Sequence, residues 1–305
     1  MTAQRLSFGI KTTPAHVGYA DLLRVWREAD EIEHIEHAWL WDHLFPVFGP
    51  PGGPALEGWT TLAALAAGTE RLGLGLLVSS NRLRPPALLA KIATTVEEIS
   101  AGRLTVGLGM GTTRPRAGTE PAPGPAARAV AGYRALGIAP PAPGEGLTRL
   151  AESCQLLRAL WDSPDPVDFD GHHYRLRRAQ ALPRPARRLP LLVGGAGDGT
   201  LRVAAEHADI WNIQGPPHHD LPTIRARIDT LNAHCAALGR DPASLVRSAQ
   251  THVSYDDPAA TRATVHALAA TGITHIVLSL RMPFPPNAAT WLDRQIIKPV
   301  LETES

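Results

Sequence analysis

What most constrains this chain is the regular alternation of short apolar runs with amphipathic stretches, repeated from end to end. An apolar run of four to eight residues between turn residues fits a buried strand, and an apolar stripe at three- and four-residue spacing fits a helix. LSFGIKT (Leu6 to Thr12) is the first strand. Tyr19 to Glu33 is the first helix, with Leu22, Leu23, Trp26 and Ala29 on one stripe. AWLWDHLFP (Ala38 to Pro46) carries the second strand, Glu57 to Glu70 an Ala-rich helix, and Gly73 to Ser80 the third strand. Pro85 opens a helix running to Ser100, where its missing N–H costs nothing, and LTVGLG (Leu104 to Gly109) is the fourth strand. Further strands at Pro190 to Gly195, Asp209 to Gln214, Val246 to Tyr255 and His275 to Leu280 alternate with helices at Leu201 to His207, Thr223 to Leu238, Pro258 to Thr271 and Ala288 to Leu301. Eight strands and eight helices match a (β/α)8 TIM barrel, with a doubly wound parallel sheet as the rival that the same crossovers allow. A length of 305 residues, 44% of them apolar, suits one barrel domain over 1–305.

Two stretches interrupt the rhythm. Thr113 to Gly146 is rich in Pro, Ala and Gly with no sustained period, which predicts an insertion after the fourth strand serving as a lid, a binding loop or a solvated excursion. A helix from Leu147 to Trp161 follows. DFDGHHYRL (Asp168 to Leu176) then holds an Asp-Gly between apolar runs, the mark of a small hairpin inserted before the fifth strand.

A formal charge of +1 offers no bulk field for nucleic acid or anionic membrane, so a small-molecule partner is expected, with no nucleic acid and no membrane. The chain starts without a basic and apolar leader and has no run long enough to span a bilayer, and its two cysteines, Cys154 and Cys235, have no metal or CxxC spacing. A cytoplasmic protein with free buried thiols is the expectation. Thirteen histidines include the adjacent pairs His172/His173 and His218/His219, yet no HExxH or His/carboxylate triad, and no metal is expected.

Chemistry concentrates at strand ends. Asp42 and His43 follow four mostly apolar and aromatic residues and precede the break at Pro46, where barrel enzymes keep their polar groups; the competing reading is a polar strand end that merely holds its loop. GLGMGT (Gly107 to Thr112) resembles the start of a dinucleotide fingerprint, but a proline-rich stretch stands where the helix should open. VGGAGDGT (Val193 to Thr200) lies between a strand and a helix whose free N–H groups suit a phosphate, or is a turn with packing glycines. His252, near the end of the seventh strand, either faces the same mouth as His43 or is a core histidine. No GxSxG elbow points to covalent hydrolysis.

The blocks WLWDHLFP, EGWTTLAALAAGTERLGLG, VSSNRLRPPALLAKIATTVEEISAGRLTVGLGMG, FDGHHYRL, VGGAGDGTLRVAAEHADIWN and ALGRDP together resemble the luciferase-like monooxygenase superfamily, in its branch of oxidoreductases using coenzyme F420. The resemblance spans nearly the whole chain outside 113–146 and implies the (β/α)8 barrel. It implies hydride transfer between the deazaflavin and a small organic substrate, as reduction of C=C, C=N or C=O or the reverse oxidation. The alternatives are an FMN-dependent monooxygenase and a catalytically silent cofactor-binding barrel. By the same resemblance Asp42 and His43 are the catalytic pair, His43 as proton donor or substrate orienter and Asp42 also beside the cofactor. A bulge with a non-prolyl cis peptide is expected at Leu76–Leu77 behind the ring. Ser79 and Asn81 are expected at the ring's polar edge, with Thr112 beside the cofactor and Gly194, Gly195 and Gly197 on its phosphate. A homodimer is implied as well. After GLGMG the family's acidic stretch is replaced by Thr112 and Thr113 and the insertion, whose Arg114, Arg116 and Arg128 are candidates for an acidic cofactor tail.

Overall fold

Parallel pairing closes the eight expected strands into a ring in the computed structural model, which describes residues 5–50, 52–111, 124–139 and 141–304. The first half runs β1 (Ser7–Lys11), α1 (Tyr19–Asp30), β2 (His37–Leu40), α2 (Gly58–Ala67), β3 (Gly73–Leu76), β4 (Ser79–Ser80), α3 (Pro86–Ile99) and β5 (Leu104–Gly109). Two helices, α4 (Pro125–Ala135) and α5 (Pro143–Asp162), and an antiparallel hairpin of β6 (Val167–Asp170) and β7 (Arg175–Ala179) follow. The second half is β8 (Leu191–Gly194), α6 (Asp198–His207), β9 (Ile210–Gln214), α7 (Leu221–Ala237), β10 (Val246–His252), α8 (Pro258–Ala269) and β11 (His275–Ser279). The C-terminal helical segment is α9 (Ala288–Leu292), a π turn over Asp293–Ile297 and α10 (Lys298–Glu304). Strand order is β3-β2-β1-β11-β10-β9-β8-β5, and β5 returns to β3 through Leu74↔Leu104, so the sheet is a barrel and the doubly wound alternative falls.

Strand side chains alternate, and the two faces meet different neighbours. Phe8, Ile10, Ala38, Leu40, Leu74, Leu76, Val106, Leu108, Trp211, Ile213, Ile276 and Leu278 join the large core shared with the helices. The opposite parity fills the barrel. Trp39, Leu77, Leu192 and Val277 form a separate apolar cluster there. Around it the interior turns polar on three neighbouring strands, with Asn212, Ser248, Gln250 and His275 in linked register.

These groups are hydrogen bonded in a chain. Gln250 donates to Asn212 Oδ1 (3.3 Å), Asn212 donates to Ser248 Oγ (2.8 Å), and Ser248 Oγ lies 2.8 Å from His275 Nδ1. The His275 ring stacks on His37 with centroids 3.9 Å apart, and His37 Nδ1 accepts from Trp39 Nε1 at 2.7 Å. Burial pushes His275 down to about 4, and burial together with the facing His275 holds His37 well below the usual imidazole range. Both imidazoles are therefore neutral in the fold and take up protons near ~6.5 once unfolded. Stability from this pair is present in full above that value and is lost as pH falls from ~6.5 towards 4, by up to about 1.4 kcal/mol per pH unit for each ring. His275→Asn should flatten the fall in urea midpoint between pH 6.5 and 4.5; an unchanged slope would show that the stacked pair does not govern acid stability.

Three expectations need correction. The third strand is broken into β3 and β4, and the non-prolyl cis bond is Leu77–Val78, one residue beyond the expected Leu76–Leu77. The bulge crowds β5: a Cβ on Gly107 would stand 2.1 Å from the Leu76 carbonyl oxygen and one on Gly109 2.5 Å from Val78 Cγ2. The glycines of GLGMG thus make room for the bulge rather than for a phosphate. Within the insertion, residues 125–135 are a helix, because Ala129, Val130 and Tyr133 form a buried stripe behind Pro125 at the helix start. Helix α5 also begins earlier than Leu147, at Pro143.

Candidate active site

The carboxyl ends of the strands surround a cavity of 660 Å³. Its wall includes Lys11 from β1, Trp41, Asp42 and His43 following β2, Leu77, Val78 and Ser80 from the bulge, Gly194 and Gly195 at the end of β8, and Tyr133 from α4. The polar strand end predicted from AWLWDHLFP therefore opens into a site.

Asp42 is 2% exposed and its carboxylate is fully engaged. Ser79 Oγ (2.9 Å) and the Ser80 N–H (3.0 Å) donate to Oδ2, and Arg84 grips the two oxygens at 2.7 and 3.0 Å. Arg84 also pairs with Glu57, whose carboxylate caps the first N–H groups of α2. With four donors on it, the Asp42 carboxylate ties the bulge to α2 and acts on His43 only through space. Ser79, expected at the ring's edge, is 0% exposed and donates to Asp42 while accepting from Trp59 Nε1 (3.0 Å). Its neighbour Ser80 lines the cavity instead. Alternation explains the difference: Ser79 and Ser80 lie on opposite faces of β4, the first buried and the second towards the cavity.

His43 Nδ1 lies 3.1 Å from the Tyr133 hydroxyl, which is also 3.5 Å from the Asp42 carbonyl oxygen. Burial, then the charge of Lys11, pushes His43 down to about 4, with Asp42 opposing and Arg82 assisting the fall. The ring is therefore a neutral imidazole at pH 7. Burial pushes Tyr133 up to about 12, so its hydroxyl keeps its proton. With that hydroxyl turned to the Asp42 carbonyl, Nδ1–H of His43 donates to Tyr133 Oη and Nε2 is left as an open acceptor. In that state His43 offers Nε2 to the cavity as a hydrogen-bond acceptor.

Tyr133 was invisible in the sequence reading because it lies inside the Pro/Ala/Gly-rich insertion. The hint was the spacing Ala129, Val130, Tyr133, one helical stripe, and its ring is held by Phe45 at 4.7 Å and by the Arg82 guanidinium 3.8 Å above it. Lys11 was missed as well. It ends β1 deep in the mouth, donates to Gln250 Oε1, and burial pushes it down to about 8.

The other expected positions separate. Leu77 lines the cavity, whereas Leu76 is 0% exposed in the outer core. Asn81 is buried and lines an adjoining groove with Arg82, Arg134 and Arg149 rather than the main cavity. Gly194 and Gly195 face the cavity, and Gly197 caps α6, where a Cβ would meet nothing within 4 Å. Thr112, Arg114 and Arg116 lie outside the described residues. Arg128 donates to the Gly49 carbonyl at 2.7 Å and so fastens the loop after β2. His252 lines a second compartment of the mouth and is not a core histidine.

A flat heteroaromatic cofactor with a phosphate fits these residues. Trp41 Nε1 and Ser80 Oγ are buried in the cavity wall with no partner among the described residues, and both can bond a ring edge. Leu77 and Val78 offer an apolar backing, and the Gly194–Gly195 turn leads to the free N–H groups at the start of α6. No group of three or more His, Cys, Asp or Glu among the described residues could hold a metal ion.

Comparison with known proteins agrees with this architecture. The model of a family described as luciferase-like monooxygenase matches residues 6–294. An F420-dependent glucose-6-phosphate dehydrogenase of Nakamurella multipartita is 30% identical over 210 residues, 68% of this chain and 56% of that protein. The pyrimidine monooxygenase RutA of Stutzerimonas stutzeri is 30% identical over 194 residues, 63% of this chain and 49% of that protein. This chain thus spans about half the length of each. A solved F420-dependent secondary alcohol dehydrogenase superposes with a TM-score of 0.76 at 17% identity, covering 97% of this chain and 99% of the other, a likeness of fold.

Proposed function

This chain belongs to the luciferase-like monooxygenase family, and from that premise we propose that it is a coenzyme F420-dependent oxidoreductase that oxidises a small alcohol by hydride transfer. One observation carries the reading: His43, with the Tyr133 hydroxyl 3.1 Å from its Nδ1, lines the same cavity as Leu77 and Val78 of the bulge and the Gly194–Gly195 turn. When bound, the deazaflavin supplies the hydride acceptor. The chain supplies the rest. As hydride leaves the carbinol carbon, the hydroxyl proton passes to His43 Nε2, and the bond electrons of O–H become the second C=O bond. Tyr133 accepts from Nδ1–H and steadies the imidazolium that forms. Leu77, Val78, Trp41 and Phe48 shield the reacting centre from water. The same groups serve ketone reduction in reverse, with the proton returned from His43. Dehydrogenase and monooxygenase relatives reach equal identity, and it is the recurrence of F420-dependent names among the relatives that supports the F420 reading over FMN and oxygen.

Titration of the purified chain with F420 and with FMN, followed by tryptophan quenching, should show saturable F420 binding at least about tenfold tighter than FMN, a gap of about 1.4 kcal/mol. Adding a secondary alcohol should then reduce the deazaflavin without oxygen uptake. Preference for FMN with oxygen consumed in turnover would sink this proposal in favour of a monooxygenase.

A further inference from the structure

The mouth of the barrel has a second compartment of 600 Å³ that shares Lys11, Trp41, Phe48, Gln214 and Gln250 with the first. Its walls hold three histidines, His16, His218 and His252, with Lys11 and Arg281, and no carboxylate. Register builds the cluster: Lys11 on β1 and His252 on β10 both pair with Ser279 of β11, so the two stand one strand apart in the top layer of the barrel. The His218 and His252 rings are 5.8 Å apart. Trp41 and Phe48, stacked at 5.8 Å, make the facing wall apolar.

Among the described residues no carboxylate neutralises this cluster. Among the described residues neither Lys11 nor Arg281 forms an ion pair, and the only side-chain acceptor on Lys11 is the Gln250 amide. The groups acting on His252 after burial are His218, Lys11 and Arg281, all of one sign. Like charges gathered without a counter-ion repel one another, least screened at the half-buried Lys11, and a bound anion relieves that repulsion. We propose that this compartment is the substrate pocket and that the substrate carries an anionic group, a carboxylate or a phosphate, on an apolar body, the anion seated among Lys11, His218, His252 and Arg281 and the body against Trp41 and Phe48. The inference rests on the placing of the cofactor ring in the adjoining cavity, since only then does a molecule held here present its carbinol carbon to the hydride acceptor.

Calorimetric titration of the full chain, without and with F420, using benzoate, phenyl phosphate and the neutral isostere benzamide tests it. At least one anion should bind about tenfold or more tighter than benzamide, and the tighter of the two identifies the anionic group. Lys11→Met should remove most of that preference while leaving benzamide within about twofold, and Arg281→Gln, an exposed change, should reduce it in the same direction. Equal affinity for all three probes, no saturable binding of either anion, or equal weakening of all three in both variants overturns the proposal. A chain that prefers the anions but does not bind F420 would instead overturn the cofactor reading, because the anion preference is measured without cofactor.

Discussion

His43→Ala should lower turnover by about a hundred- to ten-thousand-fold, the range supplied by one well-placed acid or base, while F420 affinity changes by less than about threefold. The separation is expected because the proposed role gives His43 the transferred proton and assigns the cofactor to the bulge, Ser80, Trp41 and the Gly194–Gly195 turn, which line the same cavity. The pH profile carries an independent signature. A base pushed down to about 4 by burial and by Lys11 stays unprotonated through the neutral range. Alcohol oxidation should therefore hold level from pH 7 down to about 5 and fall only below that, provided turnover is measured above the pH where the fold itself weakens. A fall centred near ~6.5 would mean that His43 titrates as an ordinary imidazole and that the burial argument fails. Tyr133→Phe keeps the ring but removes the oxygen at 3.1 Å from Nδ1, so its loss should be smaller than that of His43→Ala and confined to kcat. If cofactor binding collapses with His43→Ala to the same degree as turnover, the imidazole is a support for the cofactor and not the base.

Arg84→Met should destabilise the fold by about 3–5 kcal/mol, the cost of leaving a buried charge without its partner. The pair qualifies as buried: the Arg84 side chain is 11% exposed and that of Asp42 0%. Removing the guanidinium strips two of four donors from Asp42 and frees Glu57 at the start of α2. Urea unfolding at pH 7 measures the effect. Asp42→Asn in the Arg84→Met background should recover part of the loss, since the amide no longer carries the stranded charge, and the coupling between the two positions is the quantity of interest. A loss below about 1 kcal/mol would place this contact with solvent-screened surface pairs and remove its claim to hold the bulge in place.

Much of this molecule is legible before folding. Period and punctuation located all eight barrel strands, because a strand buried against helices must be apolar on its outer face and must end at a turn. AWLWDHLFP marked the mouth for the same reason: apolar burial stops where Asp42 and His43 begin. The insertion resisted, since its prolines and glycines masked a helical stripe of only three buried residues, Ala129, Val130 and Tyr133.

What the chain's residues alone determined is the alternation of eight strands with helices and the polar strand end at Asp42–His43; closure of the sheet into a barrel came with the pairing of β5 to β3. Tertiary structure decided the roles. It turned Asp42 onto Arg84, exchanged Ser79 for Ser80 at the cavity, brought Tyr133 to His43 from 90 residues away, and set Lys11 beside His252 across the ring. The physical reason is that sequence pattern records which side of a strand is apolar, while a side chain's charge state and partner depend on desolvation and on neighbours that meet only when the ring closes.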